Sequence, residues 1–239
     1  MPAHIRAESG SVAPSALVCG DPDRVKSLSK LLSGARLVNS NRGFLVYTGV
    51  FGGGARISIA THGIGQPSIA IVVEELNQLG VRSVVRLGTC GSMDPRIGVG
   101  DFVVATGASY AVGGTITQYL DQSLSGIALA QTPDIALTNM ILKELEPQRT
   151  RVHTSDVYSS DSFYGLKKSL VAELRAHGNR AVEMEAATLF MLGKAKGMRT
   201  AALFVASNSV LRRTKLLTHE ELEGRMLIAA KAALAALSR

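Results

Sequence analysis

The sequence has no tryptophan, only two cysteines, and few aromatics for its length: six Phe and five Tyr in 239 residues. Cys19 and Cys90 stand far apart, with no CxxC spacing and no Cys/His cluster. That excludes a disulfide framework and a zinc site, and predicts two free thiols. No apolar run reaches the roughly 18–20 residues needed to cross a bilayer, so a soluble protein is expected. Residues 1–10 carry His4, Arg6 and Glu8 without an apolar stretch, so no secretory signal is read there and the cytoplasm is the expected location. No Pro/Ser-rich linker, charge block or fixed-period repeat divides the chain, which predicts one domain over 1–239.

What is present is ordinary globular composition, 46% hydrophobic and 19% charged with 24 Gly and 7 Pro. Lys plus Arg number 26 against 19 Asp plus Glu, for a net charge of +7. The basic residues are scattered from Arg6 to Arg239 with no dense tract or interleaved aromatics, which favours a small anionic ligand over nucleic acid.

The hydrophobic periodicity alternates between short strands and helices. Strands are expected at 16–19, 44–47, 55–61, 83–87, 102–105 and 200–205, with the glycines at 52–54 turning 44–47 and 55–61 into a hairpin. Helices are expected at 23–32, 68–79, 133–145, 166–177, 184–196 and 219–237. The order predicts an α/β fold, a single domain whose central mixed sheet is flanked by helices on both faces. In such sheets ligands collect at the carboxyl ends of strands, which directs attention to 19–20, 61–65, 87–91 and 205–209.

Gly20 to Arg24 puts a glycine at a strand end, where bare backbone N–H can approach an anion, and an arginine one turn into the next helix. Alone, this is also what an ordinary strand-to-helix turn looks like. Arg86 lies inside an apolar strand, where a guanidinium needs a carboxylate, a phosphate or another acceptor. It runs directly into Gly88-Thr89-Cys90-Gly91, whose amides and hydroxyl can share the same anion. Glu183-Met184-Glu185 reads either as acidic residues complementing a helix dipole or as a carboxylate gripping vicinal hydroxyls of a sugar, with methionine on its apolar face. Phe163-Tyr164 reads either as core aromatics or as a stacking wall for a planar base.

Taken together, His4, Gly20–Arg24, Asn41-Arg42-Gly43, Thr61–Gly65, Arg86–Gly91, Phe163-Tyr164, Val182–Ala186 and Ser207-Asn208 resemble the hexameric purine nucleoside phosphorylase and uridine phosphorylase family, over nearly the whole chain. Within it, 41–49 and 58–79 look most similar to archaeal-type purine and 5'-methylthioadenosine phosphorylases. The resemblance implies phosphorolysis of a nucleoside, with Gly20, Arg24, Arg86 and Thr89 on phosphate and Arg42 delivered from a neighbouring subunit. It implies His4 crossing a dimer interface to the ribose 5' end, Glu185 on the 2' and 3' hydroxyls with help from Met184 and Glu183, and Phe163, Cys90, Gly91 and Val182 around the base. The implied assembly is a homohexamer, a trimer of dimers. The implied partners are nucleoside and phosphate, with no nucleic acid or membrane. Inorganic phosphate is the co-substrate, and no metal or organic cofactor is expected.

One position departs from the commonest family pattern, which places an aspartate acting as general acid where this chain has Asn208. An amide cannot supply a proton, but it donates a hydrogen bond to N7 or O6 of a 6-oxopurine, so Asn208 and Arg86 are the expected catalytic residues and guanosine and inosine the expected substrates. Asp161 and Asp156 stay open as alternative acids. The Gln-x-Arg element with which uridine phosphorylases read a pyrimidine is absent after Phe163-Tyr164, and Lys167 and Lys168 there read as solvated helix charges. A 5'-methylthioadenosine phosphorylase, a uridine phosphorylase, a nucleosidase and a non-catalytic nucleoside-binding protein are the competing readings. Dinucleotide binding is the weakest, because no GxGxxG with a following acidic residue is present.

Overall fold

A computed structural model describes residues 2–120, 128–148, 150–212, 214 and 217–239. Its elements in chain order are β1 (Ser15–Cys19), α1 (Pro22–Ser29), β2 (Ser33–Asn39), β3 (Val46–Phe51), β4 (Ala55–Thr61), α2 (Gln66–Gln78), β5 (Ser83–Ser92) and β6 (Phe102–Tyr110). They continue with α3 (Thr115–Tyr119), α4 (Ile135–Leu145), β7 (Val152–Ser159), α5 (Lys168–Ala176), β8 (Asn179–Glu183), α6 (Ala186–Ala195), β9 (Arg199–Ser209) and α7 (His219–Leu237).

The nine strands form one mixed sheet in the order β2-β3-β4-β1-β5-β8-β7-β6-β9, and β9 returns to pair in parallel with β5. The second half of the sheet therefore closes on itself, while β2, β3 and β4 extend from it as an antiparallel wing. One core lies between the sheet and α2 and α6, with Phe190 and Phe204 fully buried. The other lies on the opposite face beneath α1, α4 and α7, with Leu17, Phe102 and Leu203. Truncating a buried Phe of this kind costs about 3–5 kcal/mol, so these layers fix where the strand ends sit.

The helices begin where the sequence supplies acceptors. Asp21 caps α1 by accepting from the Asp23 amide at 2.9 Å, and Asp134 caps α4 by accepting from Leu137 at 2.7 Å. Thr218 and Glu221 form a reciprocal capping box at α7. α6 has no such residue. Its first amides instead donate to side chains from two strands, Ala186 to the Glu183 carboxylate at 3.0 Å and Ala187 to Ser159 Oγ at 2.9 Å.

The mixed α/β architecture agrees with the expectation, and so do the 44–61 hairpin and the 219–237 helix. Several boundaries differ. The helix expected over 23–32 ends at Ser29, and 33–39 turns back as β2. The strand expected at 83–87 runs on to Ser92 through the Gly-Thr-Cys-Gly segment. The helix expected from 184 begins at Ala186, because Glu183 is the last residue of β8. The hydrophobic pattern gives no sign of strands β2, β7 and β8 or of the short α3.

Candidate active site

A cavity of about 970 Å³ opens along the carboxyl ends of β1, β4, β5, β8 and β9. That size lies at the upper end of the roughly 300–1,000 Å³ usual for small-molecule sites. One end is built on the turn after β1. There an added Cβ on Gly20 would lie 2.9 Å from Gly63 O, so only glycine lets the β1 and β4 turns approach. The His62 amide donates to Cys19 O at 2.8 Å and fastens the two turns together. Arg24, half-buried in the first turn of α1, borders the cavity beside Gly20, and Thr89 borders it from β5.

Arg86 forms the floor. It is 4% exposed, and its Nε donates to Glu183 Oε2 at 3.2 Å, its Nη2 to Glu185, and its Nη1 to His62 Nε2 at 2.9 Å. An added Cβ on Gly88, two residues on and so on the same face of β5, would fall within 2.9 Å of the guanidinium. Glycine at that position gives the guanidinium its room. All three of its nitrogens are engaged, with Nη2 also 3.2 Å from Glu183 Oε2, and the guanidinium still borders the cavity. Burial opposes the Arg86 charge, but Glu185 and Glu183 outweigh it and push its pKa up. Burial raises the Glu185 carboxyl above its ordinary value, with Arg86 pulling against this and Glu183 adding to it.

The two glutamates have different duties. Glu183 accepts from Arg86, Ser159 and the amides of Glu185 and Ala186, so its carboxylate is fully spent on holding Arg86 and the start of α6. Glu185 accepts from Arg86 and from the Gly65 amide at 2.6 Å, and it borders the cavity together with Met184. Both glutamates border the cavity, but Glu185, with fewer protein partners, is the freer to meet a ligand.

The other end is built on β5 and β9. Their pairing is bulged, with Cys90 opposite Ala206 but Gly91 opposite Asn208, and the inserted Ser207 turns Asn208 toward the cavity. Ser207 Oγ lies 3.3 Å from Asn208 Oδ1 and 3.4 Å from Cys90 O, with one proton for the two, and the Asn208 amide nitrogen donates to no other protein group among the described residues. An added Cβ on Gly91 would lie 3.0 Å from Val210 and 3.2 Å from Val182. This end is therefore a narrow apolar slot. Cys90 lines it, and burial pushes its thiol far above the ordinary value, so it acts as an apolar wall. Phe163 and Tyr164 are not core aromatics. They are 65% and 96% exposed and pack edge to face, with ring centroids 5.0 Å apart, at the cavity mouth.

Some expected residues lie elsewhere. Arg42 sits on an exposed turn at φ 55° and does not border this chain's cavity. His4 is held by Glu75, Nδ1 to Oε1 at 2.8 Å, also outside the cavity. Asn41 Nδ2 donates to His4 O at 2.9 Å, so His4 and Arg42 share one patch. Neither alternative acid reaches the cavity lining: Asp161 accepts from Gln66 at 2.7 Å and Asp156 from Thr106 at 2.9 Å. Conversely, His62 had been given no role from sequence. It is fully buried, and since arginine only donates, its Nε2 must accept and the ring must be neutral. Burial, reinforced by Arg86, lowers its pKa well below the ordinary value. Its position directly after strand β4 in Thr-His-Gly was the available signal.

Comparison with known proteins agrees with this geometry. The model of the Phosphorylase superfamily matches residues 14–239. A guanosine phosphorylase of Halorubrum lacusprofundi is 33% identical over 208 residues, covering 87% of this chain and 83% of its own. A DeoD-type purine nucleoside phosphorylase of Myxococcus xanthus is 36% identical over 219 residues, covering 91% and 89%. A uridine phosphorylase of Thermococcus kodakarensis is 34% identical over 213 residues, covering 84% and 74%. A family match over 14–239, with relatives this similar along most of both chains, establishes that the chain belongs to the phosphorylase superfamily as a nucleoside phosphorylase, and hence a pentosyltransferase.

Proposed function

We propose that this protein is a purine nucleoside phosphorylase that transfers the ribosyl or deoxyribosyl group of a purine nucleoside to inorganic phosphate, favouring the 6-oxopurines guanosine and inosine. The observation that carries the reading is Arg86. One buried guanidinium is held by Glu183, Glu185 and His62 and borders the same cavity as Gly20, Arg24 and Thr89.

In this reading phosphate is the co-substrate and lies between Gly20, Arg24, Thr89 and the cavity side of Arg86. At an effective dielectric near 20, a unit charge pair at about 4 Å is worth about 4 kcal/mol, enough for these cations to hold a dianion against water. Glu185 accepts the 2' and 3' hydroxyls and Met184 covers the sugar's apolar face. The bond from C1' to N9 breaks as a phosphate oxygen closes on C1', and the sugar passes through an oxocarbenium-like state that phosphate itself counters. The bond's electron pair leaves on the purine, where the Asn208 amide donates to N7 or O6. A 6-amino purine lacks the O6 acceptor and depends more on protonation, which Asn208 cannot provide.

His4 and Arg42 complete the site of a neighbouring copy in this reading, because both lie on one patch away from their own cavity. A hexamer built as a trimer of dimers places them so. Among the described residues no helix is long and apolar enough to cross a membrane, and the reading places the enzyme in the cytoplasm. The test is a panel of guanosine, inosine, adenosine, 5'-methylthioadenosine and uridine in phosphate buffer. The reading expects kcat/KM for guanosine and inosine to exceed that for adenosine; equal values would remove the role given to Asn208, and preferential cleavage of uridine would remove the purine assignment.

A further inference from the structure

The cavity continues past the Gly91–Asn208 slot to α5. Residues 168, 171, 172 and 175 all border it, the i, i+3, i+4, i+7 spacing of one helical face. Val171 packs in the same apolar cluster as Val182 and Val210, the two side chains that flank Gly91. This face therefore stands at the base end of the site, away from phosphate. It presents Lys168 and Arg175, two turns and about 10 Å apart along the axis. Neither forms an ion pair among the described residues. The carboxylates bordering the cavity, Asp21, Glu183 and Glu185, all belong to the β1 turn and the junction of β8 with α6, at the phosphate and sugar end.

Cations thus mark this face of the base end, one ammonium and one guanidinium beside the Asn208 amide, which offers an oxygen as well as a nitrogen, with no carboxylate to receive a ring N–H or an exocyclic amine. Such an edge matches a base rich in acceptors and able to carry negative charge. We propose that the α5 face reads the oxo edge of the base, and that 2,6-dioxopurine nucleosides, with xanthosine as the type, are substrates favoured over 6-aminopurine nucleosides. The inference rests on the phosphorolysis reading and names the substrate class of that same site. As the bond from C1' to N9 breaks, its electron pair spreads over the purine onto its carbonyl oxygens. The α5 cations stabilise the departing anion there, and the base takes its proton from solvent afterwards. Xanthine is the more acidic leaving group because two carbonyls share the charge, so it gains most from a cationic wall and least needs a general acid.

The experiment compares the wild type with the double variant Lys168→Met/Arg175→Met. Lys167→Met serves as control, since Lys167 precedes the helix and does not border the cavity. Both targets are exposed, and far-UV circular dichroism checks the fold. The wild type should cleave xanthosine and inosine with higher kcat/KM than adenosine. The double variant should lose about tenfold or more on xanthosine and inosine while adenosine changes by less than about twofold, and the control should follow the wild type. A parallel fall for all three nucleosides, or no change in their ratio, overturns the inference. Binding of free xanthine and free adenine, measured by equilibrium dialysis, separates this from the phosphorolysis reading. If no nucleoside is cleaved, that reading falls, and tighter binding of xanthine that is lost in the double variant still supports the α5 face, whereas equal binding overturns it.

Discussion

Replacing Arg86 by Gln tests the floor of the site most severely. Arg86, Glu183 and Glu185 are each 4% exposed, so the variant leaves two carboxylates facing the space the guanidinium filled. Glu183 keeps Ser159 and two backbone amides, but Glu185 keeps only the Gly65 amide, so Glu185 bears the loss. Breaking a buried pair in this way costs about 3–5 kcal/mol. At about 2–4 °C per kcal/mol for a chain of this size, Tm should fall by about 6–20 °C. The pH dependence has a definite sign. Burial already raises the Glu185 carboxyl, and Arg86 is what restrains it, so the variant raises it further. A carboxyl raised in the folded state contributes stability below its unfolded value of about 4.3 and loses it as pH rises through the folded value. The deficit should therefore be largest near neutrality and shrink on acidification toward about pH 5. Melting followed by far-UV circular dichroism suits a chain without tryptophan. A variant melting within about 2 °C of wild type, or a deficit that grows as pH falls, would refute the reasoning. The second change Glu185→Gln should restore part of the lost stability.

Three further expectations follow from the same geometry. Asn208→Asp supplies a protonatable group at the base and should shift the kcat/KM ratio toward adenosine relative to inosine; an unchanged ratio would count against Asn208 as the base-facing donor. His62→Phe keeps ring volume but orphans an Arg86 N–H, which at about 1.5–3 kcal/mol should cost about 10–150-fold in kcat/KM. The loss should show chiefly in KM for phosphate, with His62→Gln retaining more, and equal losses in both variants would show that only packing matters. Asp94 is held well below the usual carboxylate range, first by hydrogen bonds from Arg96 and further by Arg180. Its stabilisation is present above the unfolded value of about 3.9 and fades as pH falls below it, so Asp94→Asn should destabilise at pH 7 but approach wild type in acid melts.

Much of this site is legible in the sequence because its parts are marked by glycine, at the end of β1 with Gly20 and in the carboxyl half of β5 with Gly88 and Gly91. The strands that were missed are those without a clean apolar alternation. β7, Val-His-Thr-Ser-Asp-Val-Tyr-Ser, turns hydroxyls inward, and Ser159 then donates to Glu183. β8 has five residues and ends on an acid, so Glu183 reads as a helix start when it is a strand end that serves the helix after it. The division of labour between Glu183 and Glu185 depends on which amides and which arginine each one meets, and spacing alone does not contain that. His62 was hidden for the same reason, since its partner Arg86 is 24 residues away on β5, with β1 between that strand and β4. Lys168 is exposed, as a helix charge should be, and that it also borders the cavity depends on how α5 packs, which spacing does not contain.

The central claim is that phosphate, not water, receives the sugar. Incubating inosine with the enzyme in phosphate buffer and in phosphate-free buffer, and quantifying hypoxanthine and ribose 1-phosphate together, tests it most directly. One ribose 1-phosphate should form for each base released in phosphate, with negligible cleavage without it. Base release at the same rate in both buffers, with free ribose as the product, would contradict it.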